Sequence, residues 1–161
     1  MIEHLQSHLL GLIHVLAALT AMILGAGVLL NRKGTRTHRL LGRGYLLSML
    51  AMNGTALLNF ELYGQFGPFH WMVLASLATL LGGFLSARRR SAGWLIRHAY
   101  LMATSYVGLM AAAVAEVASR VPGWSFGASV TVSSAVVMVI GFWIMFRTVP
   151  RIAGGPGIGR R

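Results

Sequence analysis

HLLGLIHVLAALTAMILGAGVLLNRKGTRTHR, residues His8 to Arg39, opens with an uncharged apolar run to Leu30 and closes with Arg32, Lys33, Arg36 and Arg39. A hydrocarbon core about 30 Å thick takes about 20 residues of helix, and in lipid each backbone N–H and C=O needs a partner inside the segment. The stretch therefore reads as a membrane-spanning helix, interrupted by one imidazole, His14, and ended by a basic loop. Four further apolar runs follow, at about Leu40 to Phe60, Phe69 to Ala87, Leu95 to Ser119 and Phe126 to Phe146. The predicted fold is all-α: a polytopic membrane protein of five transmembrane helices in an up-down bundle. It forms one domain over residues 1–153, and residues 154–161, rich in Gly and Arg, are expected to be a flexible basic tail.

Composition agrees. Of 161 residues, 56% are hydrophobic and 11% charged, and the mean hydropathy is +0.69, which excludes an ordinary soluble globule. Fourteen Lys and Arg face three Asp and Glu, for a net charge of +11. The cations sit in short clusters between apolar runs, so anionic lipid headgroups rather than nucleic acid are the expected partners. Cysteine is absent, which excludes disulfides, thiolate nucleophiles, iron–sulfur ligation and Cys-based zinc sites. Any metal chemistry falls to His, Glu, Met and Tyr.

Arg32, Lys33, Arg36, Arg39 and Arg43 flank the first connection, Arg88, Arg89, Arg90 and Arg97 the third, and Arg147, Arg151, Arg160 and Arg161 the last helix. The second connection has no Lys or Arg and the fourth only Arg120. The positive-inside rule then predicts an outside N-terminus and a cytoplasmic C-terminus, in a bacterial inner membrane. Met1 to Ser7 carries no Lys or Arg, so the first helix is expected to be retained rather than cleaved as a signal.

Helical spacing places the polar residues on stripes expected to face protein. The fourth helix has His98, Met102, Ser105, Leu109, Ala112 and Glu116; the second has His38, Gly42, Tyr45, Met52, Thr55 and Asn59. In the first helix His14 shares a face with Ala18, Ala21 and Gly25, a small-residue seam that permits close approach of a neighbour. His70, beside Trp71, begins the third span.

Two stretches, Thr37-His38-Arg39-Leu40-Leu41-Gly42-Arg43-Gly44-Tyr45 and His98-Ala99-Tyr100-Leu101-Met102-Ala103-Thr104-Ser105-Tyr106, resemble the paired signatures of a bacterial family of predicted membrane proteins, domain of unknown function 2306. The resemblance covers roughly His14 to Pro122. It implies a small polytopic membrane protein without an assigned activity, and gives weight to His14, His38, Arg39, Arg43, Tyr45, His98, Met102, Ser105 and Tyr106. Where the family usually has Trp before the Met, this chain has Leu101.

Three constellations can carry chemistry. In an up-down bundle, His14 with His70 and His38 with His98 would form one imidazole pair near each membrane surface, a pattern suited to b-type haem and transmembrane electron transfer. That layout is similar to the transmembrane dihaem b-type cytochromes, although there the ligands lie well inside their helices; Arg39 and Arg43 would suit haem propionates or lipid phosphates equally. An outward-facing set, His4, His8, Glu61, His70 and Glu116, would suit zinc or copper. His38, Tyr45, Ser105, Tyr106, His98 and Glu116 offer donors for a quinone or a proton path. The plainer readings are that the interfacial histidines cap helices and that Glu116 pairs with Arg120, one turn on. Apart from a redox or metal site, the candidates are a structural or accessory subunit of a larger complex, homo- or hetero-oligomeric through small-residue faces (Ala18, Ala21 and Gly25; Gly127, Thr131 and Ala135), and a small proton-coupled transporter using Glu116 and His14.

Overall fold

The structure, a computed structural model, describes residues 2–58 and 65–153, with side chains over 8–58, 65–67 and 69–151. Regular structure among them is helical: α1 (Ile2–Leu30), α2 (Arg36–Leu57), α3 (Pro68–Arg89), α4 (Trp94–Ala118) and α5 (Phe126–Ala153). All five predicted helices are present. Four contain stretches long and apolar enough to cross a membrane, at His8–Leu30, Phe69–Arg89, Trp94–Ala118 and Phe126–Arg151. Helix α2 is the exception because Arg36, His38, Arg39, Arg43, Ser48, Asn53 and Thr55 dilute its apolar run. The predicted tail, 154–161, lies outside the described residues.

Helix α1 begins at Ile2, six residues before the expected His8, and α2 ends at Leu57, three before Phe60. Two further boundaries differ from expectation, each for a local reason. Helix α2 begins at Arg36, not Leu40, because Thr35 is a side-chain N-cap: its Oγ1 accepts from the His38 N–H at 3.2 Å. The same loop closes α1. Lys33 Nζ donates to the Val28 and Leu29 carbonyls at 3.0 and 2.6 Å, and Asn31 Nδ2 donates to the Gly27 carbonyl at 2.8 Å. Partial burial pushes the Lys33 ammonium below its ordinary pKa. Helix α5 runs seven residues beyond Phe146. Arg147 lies with its guanidinium 4.3 Å from the centre of the Trp143 ring, and Pro150 falls in the last turns, where its missing N–H removes a single ladder bond.

The chain divides into two compact units, residues 1–78 and 79–161, with the boundary inside α3. In the first, α1 lies on α2 through the predicted seam: Ala21 and Gly25 are buried and Ala18 half-buried. The side chains reach across in both directions, with Leu41 over Gly27 and Leu24 over Gly44. Tyr45, Met49 and Asn53, one turn apart on α2, are at most 2% exposed and form the centre of this unit. Asn53 Nδ2 is satisfied within its own helix by the Met49 carbonyl at 2.8 Å.

In the second unit α4 packs on two sides. Met102 and Leu101 lie against Gly83 and Gly82 of α3, while Val107 lies against Gly141 of α5 and the Thr104 hydroxyl reaches Met145 Sδ at 3.6 Å. The predicted inward stripe of α4 therefore holds only in part: Ser105 and Leu109 are buried, but Ala112 and Glu116 are exposed. Burial passes instead to Ala111 and Ala115, on the azimuth of Val107 and Thr104 that faces α5. The seam on α1 is likewise used up inside the protein, whereas Gly127, Thr131 and Ala135 of α5 remain exposed.

A Cβ on Gly141 would meet Val107 Cγ1 at 2.6 Å and Cγ2 at 2.7 Å, and a β-branched side chain on a helix has almost no alternative rotamer. A Cβ on Gly44 would meet only the flexible end of Leu24. Gly141→Ala is expected to destabilise the protein by about 1–3 kcal/mol through overpacking, and Gly44→Ala by less than about 1 kcal/mol. Thermal unfolding of both variants in detergent checks the order.

Candidate histidine sites

The two histidines deepest in apolar helices are held alike. His14 is half-buried on α1, and its Nδ1 lies 3.1 Å from the Met52 carbonyl oxygen and 3.1 Å from Thr55 Oγ1, both on α2. His98 is half-buried in the first turns of α4, with Nδ1 2.9 Å from the Gly83 carbonyl oxygen of α3. A carbonyl only accepts, so in both residues the Nδ1–H donates, and the lone pair of the neutral ring is on Nε2. This is the arrangement that orients an imidazole for ligation through Nε2: the other ring nitrogen is fixed by a backbone carbonyl.

His70 is held the opposite way. It is 4% exposed, and its Nδ1 accepts the Gly67 backbone N–H at 3.1 Å, with the Phe66 ring 4.8 Å from its own. The neutral ring then carries its proton on Nε2. Its place at the start of α3 matches the helix-capping reading rather than that of a ligand poised at Nε2. His38 is half-buried near the start of α2, its backbone N–H taken by the Thr35 cap.

The remaining expected haem-site residues are dispersed. Arg39 donates from Nη1 to the Gly34 carbonyl at 2.8 Å, closing its own loop, and Arg43 is exposed. Tyr45 belongs to the core of the first unit; Met102 packs on Gly83 in the second, and Tyr106 is half-buried on α4.

Of the expected outward metal set, Glu61 and the side chain of His4 lie outside the described residues, and His8 is exposed. Glu116 is exposed and forms an ion pair with Arg120 one turn on, as the plainer reading expected. Such an exposed pair contributes little stability. Among the described residues no three His, Cys, Asp or Glu lie close enough together to hold a metal ion.

Sequence reasoning did not single out Thr55 or the Met52 and Gly83 carbonyls as histidine partners. Two of the three are backbone atoms, invisible to a search for side-chain chemistry. The Gly82-Gly83 pair was the available signal, since only a residue without Cβ lets α4 come close enough for His98 to reach the carbonyl: a Cβ on Gly83 would meet Met102 Sδ at 2.7 Å and the Met102 backbone nitrogen at 3.2 Å.

A family described as a predicted membrane protein, DUF2306, matches residues 11–152, the resemblance expected from the motifs at His38 and His98. No curated protein and no solved structure matches the chain.

The geometry sets a tautomer for each ring. In nitrogen-15 spectra of histidine-labelled protein at a pH where the rings are neutral, His14 and His98 are expected as Nδ1–H tautomers and His70 as Nε2–H. Single His→Gln variants assign the signals, and an Nε2–H signal for His14 or His98 would contradict the carbonyl anchors.

Proposed function

The chain belongs to the DUF2306 family of predicted membrane proteins, and we propose on that premise that it is a five-span protein of the bacterial inner membrane whose intramembrane histidines hold a redox group, most concretely b-type haem, for electron transfer. The observation that carries the reading is the shared anchoring of His14 and His98, each with Nδ1–H on a helix carbonyl and a lone pair on Nε2. An imidazole that held haem iron through Nε2 would need that tautomer. His14 and His98 fit it; His70, which accepts at Nδ1, does not. His14 and His98 would each be one oriented ligand, to a separate group in its own unit, with a carbonyl of the neighbouring helix keeping the ring from turning. Bound haem supplies one-electron redox chemistry; the chain supplies the oriented imidazoles and a low-dielectric surround.

Helix α2 serves as the fifth span in this reading. Its polar Asn53 is buried and bonds within its own helix and its Thr55 bonds within the protein, while Leu40, Leu47, Leu50 and Leu58 are exposed and suit contact with lipid. The basic ends of α3 and α5 and the Arg32 to Arg43 segment support a cytoplasmic C-terminus and an outside N-terminus. An accessory role without a cofactor is the second reading, favoured by the exposed small-residue line Gly127, Thr131 and Ala135 on α5.

Because the chain has no cysteine, single introduced thiols report topology directly. In intact spheroplasts a membrane-impermeant maleimide is expected to label Ser125→Cys and to spare Ser91→Cys until the membrane is opened. The reverse pattern would invert the orientation.

The redox reading is tested by the visible spectrum of detergent-purified protein from haem-replete cells, reduced with dithionite against oxidised, with iron measured on the same sample. A b-type difference band is expected, reduced in His14→Ala and in His98→Ala and retained in His70→Ala. A colourless, iron-free protein would leave the accessory role.

A further inference from the structure

Where α3 ends and α4 begins, Gly82, Leu85, Ser86, Arg89, Ser91 and Arg97 line a cleft of about 290 Å³. We propose that this cleft binds a phosphate ester, the headgroup of an anionic membrane phospholipid, between Arg89 and Arg97.

The run Arg88-Arg89-Arg90 is not one undifferentiated charge cluster. Arg88 lies over the Phe84 ring at 5.8 Å and Arg90 over the Trp94 ring at 5.5 Å, so both guanidinium groups have aromatic partners and neither lines the cleft. Arg89, between them, does line it, and Arg97 enters from α4. Arg90 adopts φ +48°, a left-handed conformation that L side chains seldom take, and Gly93 follows at φ +69°. The two left-handed residues turn the chain tightly enough to bring Ser91 onto Arg97.

Arg97 is already oriented. Its Nη2 donates to Ser91 Oγ at 2.6 Å. Ser91 Oγ accepts that bond, which leaves its own hydroxyl proton to donate to a third group. An acceptor in the cleft would meet two guanidinium groups and one hydroxyl donor, the donor set that suits a phosphate. Ser86 adds no donor, because its hydroxyl is spent on the Gly82 carbonyl at 2.7 Å. Among the residues whose side chains are described, the one carboxylate is Glu116, and it is paired to Arg120.

The apolar side of the cleft points to a lipid as the source. Leu85, 42% exposed, lines it, and Leu81, 41% exposed, lies one turn back on the same face of α3. An acyl chain can follow this row while its phosphate stays at the helix end. The volume suits a headgroup rather than a larger organic molecule, and basic pockets between helices at the cytoplasmic surface are where anionic headgroups are held. The proposal does not depend on haem, since none of these residues is a ligand in that reading.

The test uses the full-length protein in detergent, with short-chain phosphatidylglycerol as the probe, phosphatidylcholine as the uncharged comparison and inorganic phosphate as a separate probe and competitor. Binding is read by native mass spectrometry. Each cleft arginine is expected to contribute about fivefold to affinity, so Arg89→Gln with Arg97→Gln loses about 25-fold. Arg88→Gln with Arg90→Gln removes the same charge from the same segment and is expected to lose less than about threefold. Ser91→Ala, which keeps every charge, is expected to lose an intermediate amount by releasing Arg97. Equal losses in the two double variants would reduce the effect to general surface charge and overturn the site, as would no loss in the cleft variant. Competition by millimolar inorganic phosphate would keep the phosphate site and assign it to a soluble ligand. Lack of competition would assign it to the lipid.

Discussion

A neutral imidazole inside hydrocarbon has no water to bond to, so its N–H must find an acceptor within the protein or remain unsatisfied at a cost of several kcal/mol. Most backbone carbonyls in a helix are already engaged one turn along, but each oxygen has a second lone pair. His14 shares the Met52 carbonyl with the Thr55 hydroxyl, whose oxygen it also meets, and His98 uses the second lone pair on Gly83. The constraint reaches well beyond the two rings. To bring a ring nitrogen within 3.1 Å of a carbonyl on the neighbouring helix, the helices must approach more closely than Leu or Phe side chains allow, and small residues must face one another where they cross. In the first unit these are Ala18, Ala21 and Gly25 on α1; in the second they are Gly82 and Gly83 on α3. The histidines and the small residues are two halves of one requirement.

The same requirement explains how polarity is distributed in α2. Its hydropathy falls short of a free-standing span, yet its polar groups are consumed locally: Asn53 by the Met49 carbonyl, and Thr55 by Met52 and by His14. Beyond Tyr45, what α2 presents outward is Leu47, Leu50 and Ala51. A hydropathy threshold counts residues without regard to azimuth, so it penalises a helix whose polar side is turned inward. The buried trio Tyr45, Met49 and Asn53 shows that the azimuth matters more than the mean.

Much of this was legible in the sequence. The five helices followed from run length, and the α1 seam followed from spacing. The His98 and His38 motifs identified the family. What could not be read falls into two physical classes. One is ends: Thr35, Lys33 and Asn31 cap through short-range hydrogen bonds that hydropathy ignores, and Trp143 with Arg147 lets α5 continue past the expected interface. The other is register between helices, which decides which carbonyl lies beside which ring. Glu116 illustrates the second class. Its spacing places it on the stripe of His98 and Ser105, but helical spacing fixes azimuth and says nothing about whether a neighbour is present at that height, and there the side chain is exposed beside Arg120.

Register also separates arginines that composition treats as equivalent. Arg39 closes a loop on the Gly34 carbonyl; Arg88, Arg90 and Arg147 lie over rings one turn away; Arg120 meets Glu116. Each of these cations has a partner within the chain, and each partner lies within five residues in sequence, so the contact is local. Arg97 reaches six residues back, across the turn, and its partner is a hydroxyl that lines the same cleft and keeps its own proton to donate. A guanidinium held in place by a neutral acceptor keeps its full charge and loses much of its rotational freedom. That combination lowers the entropy cost of binding an anion without supplying the anion. The excess of +11 is therefore spread unevenly over the protein: at most of these positions it is a feature of helix ends, and at the junction of α3 and α4 it is directed into a cleft.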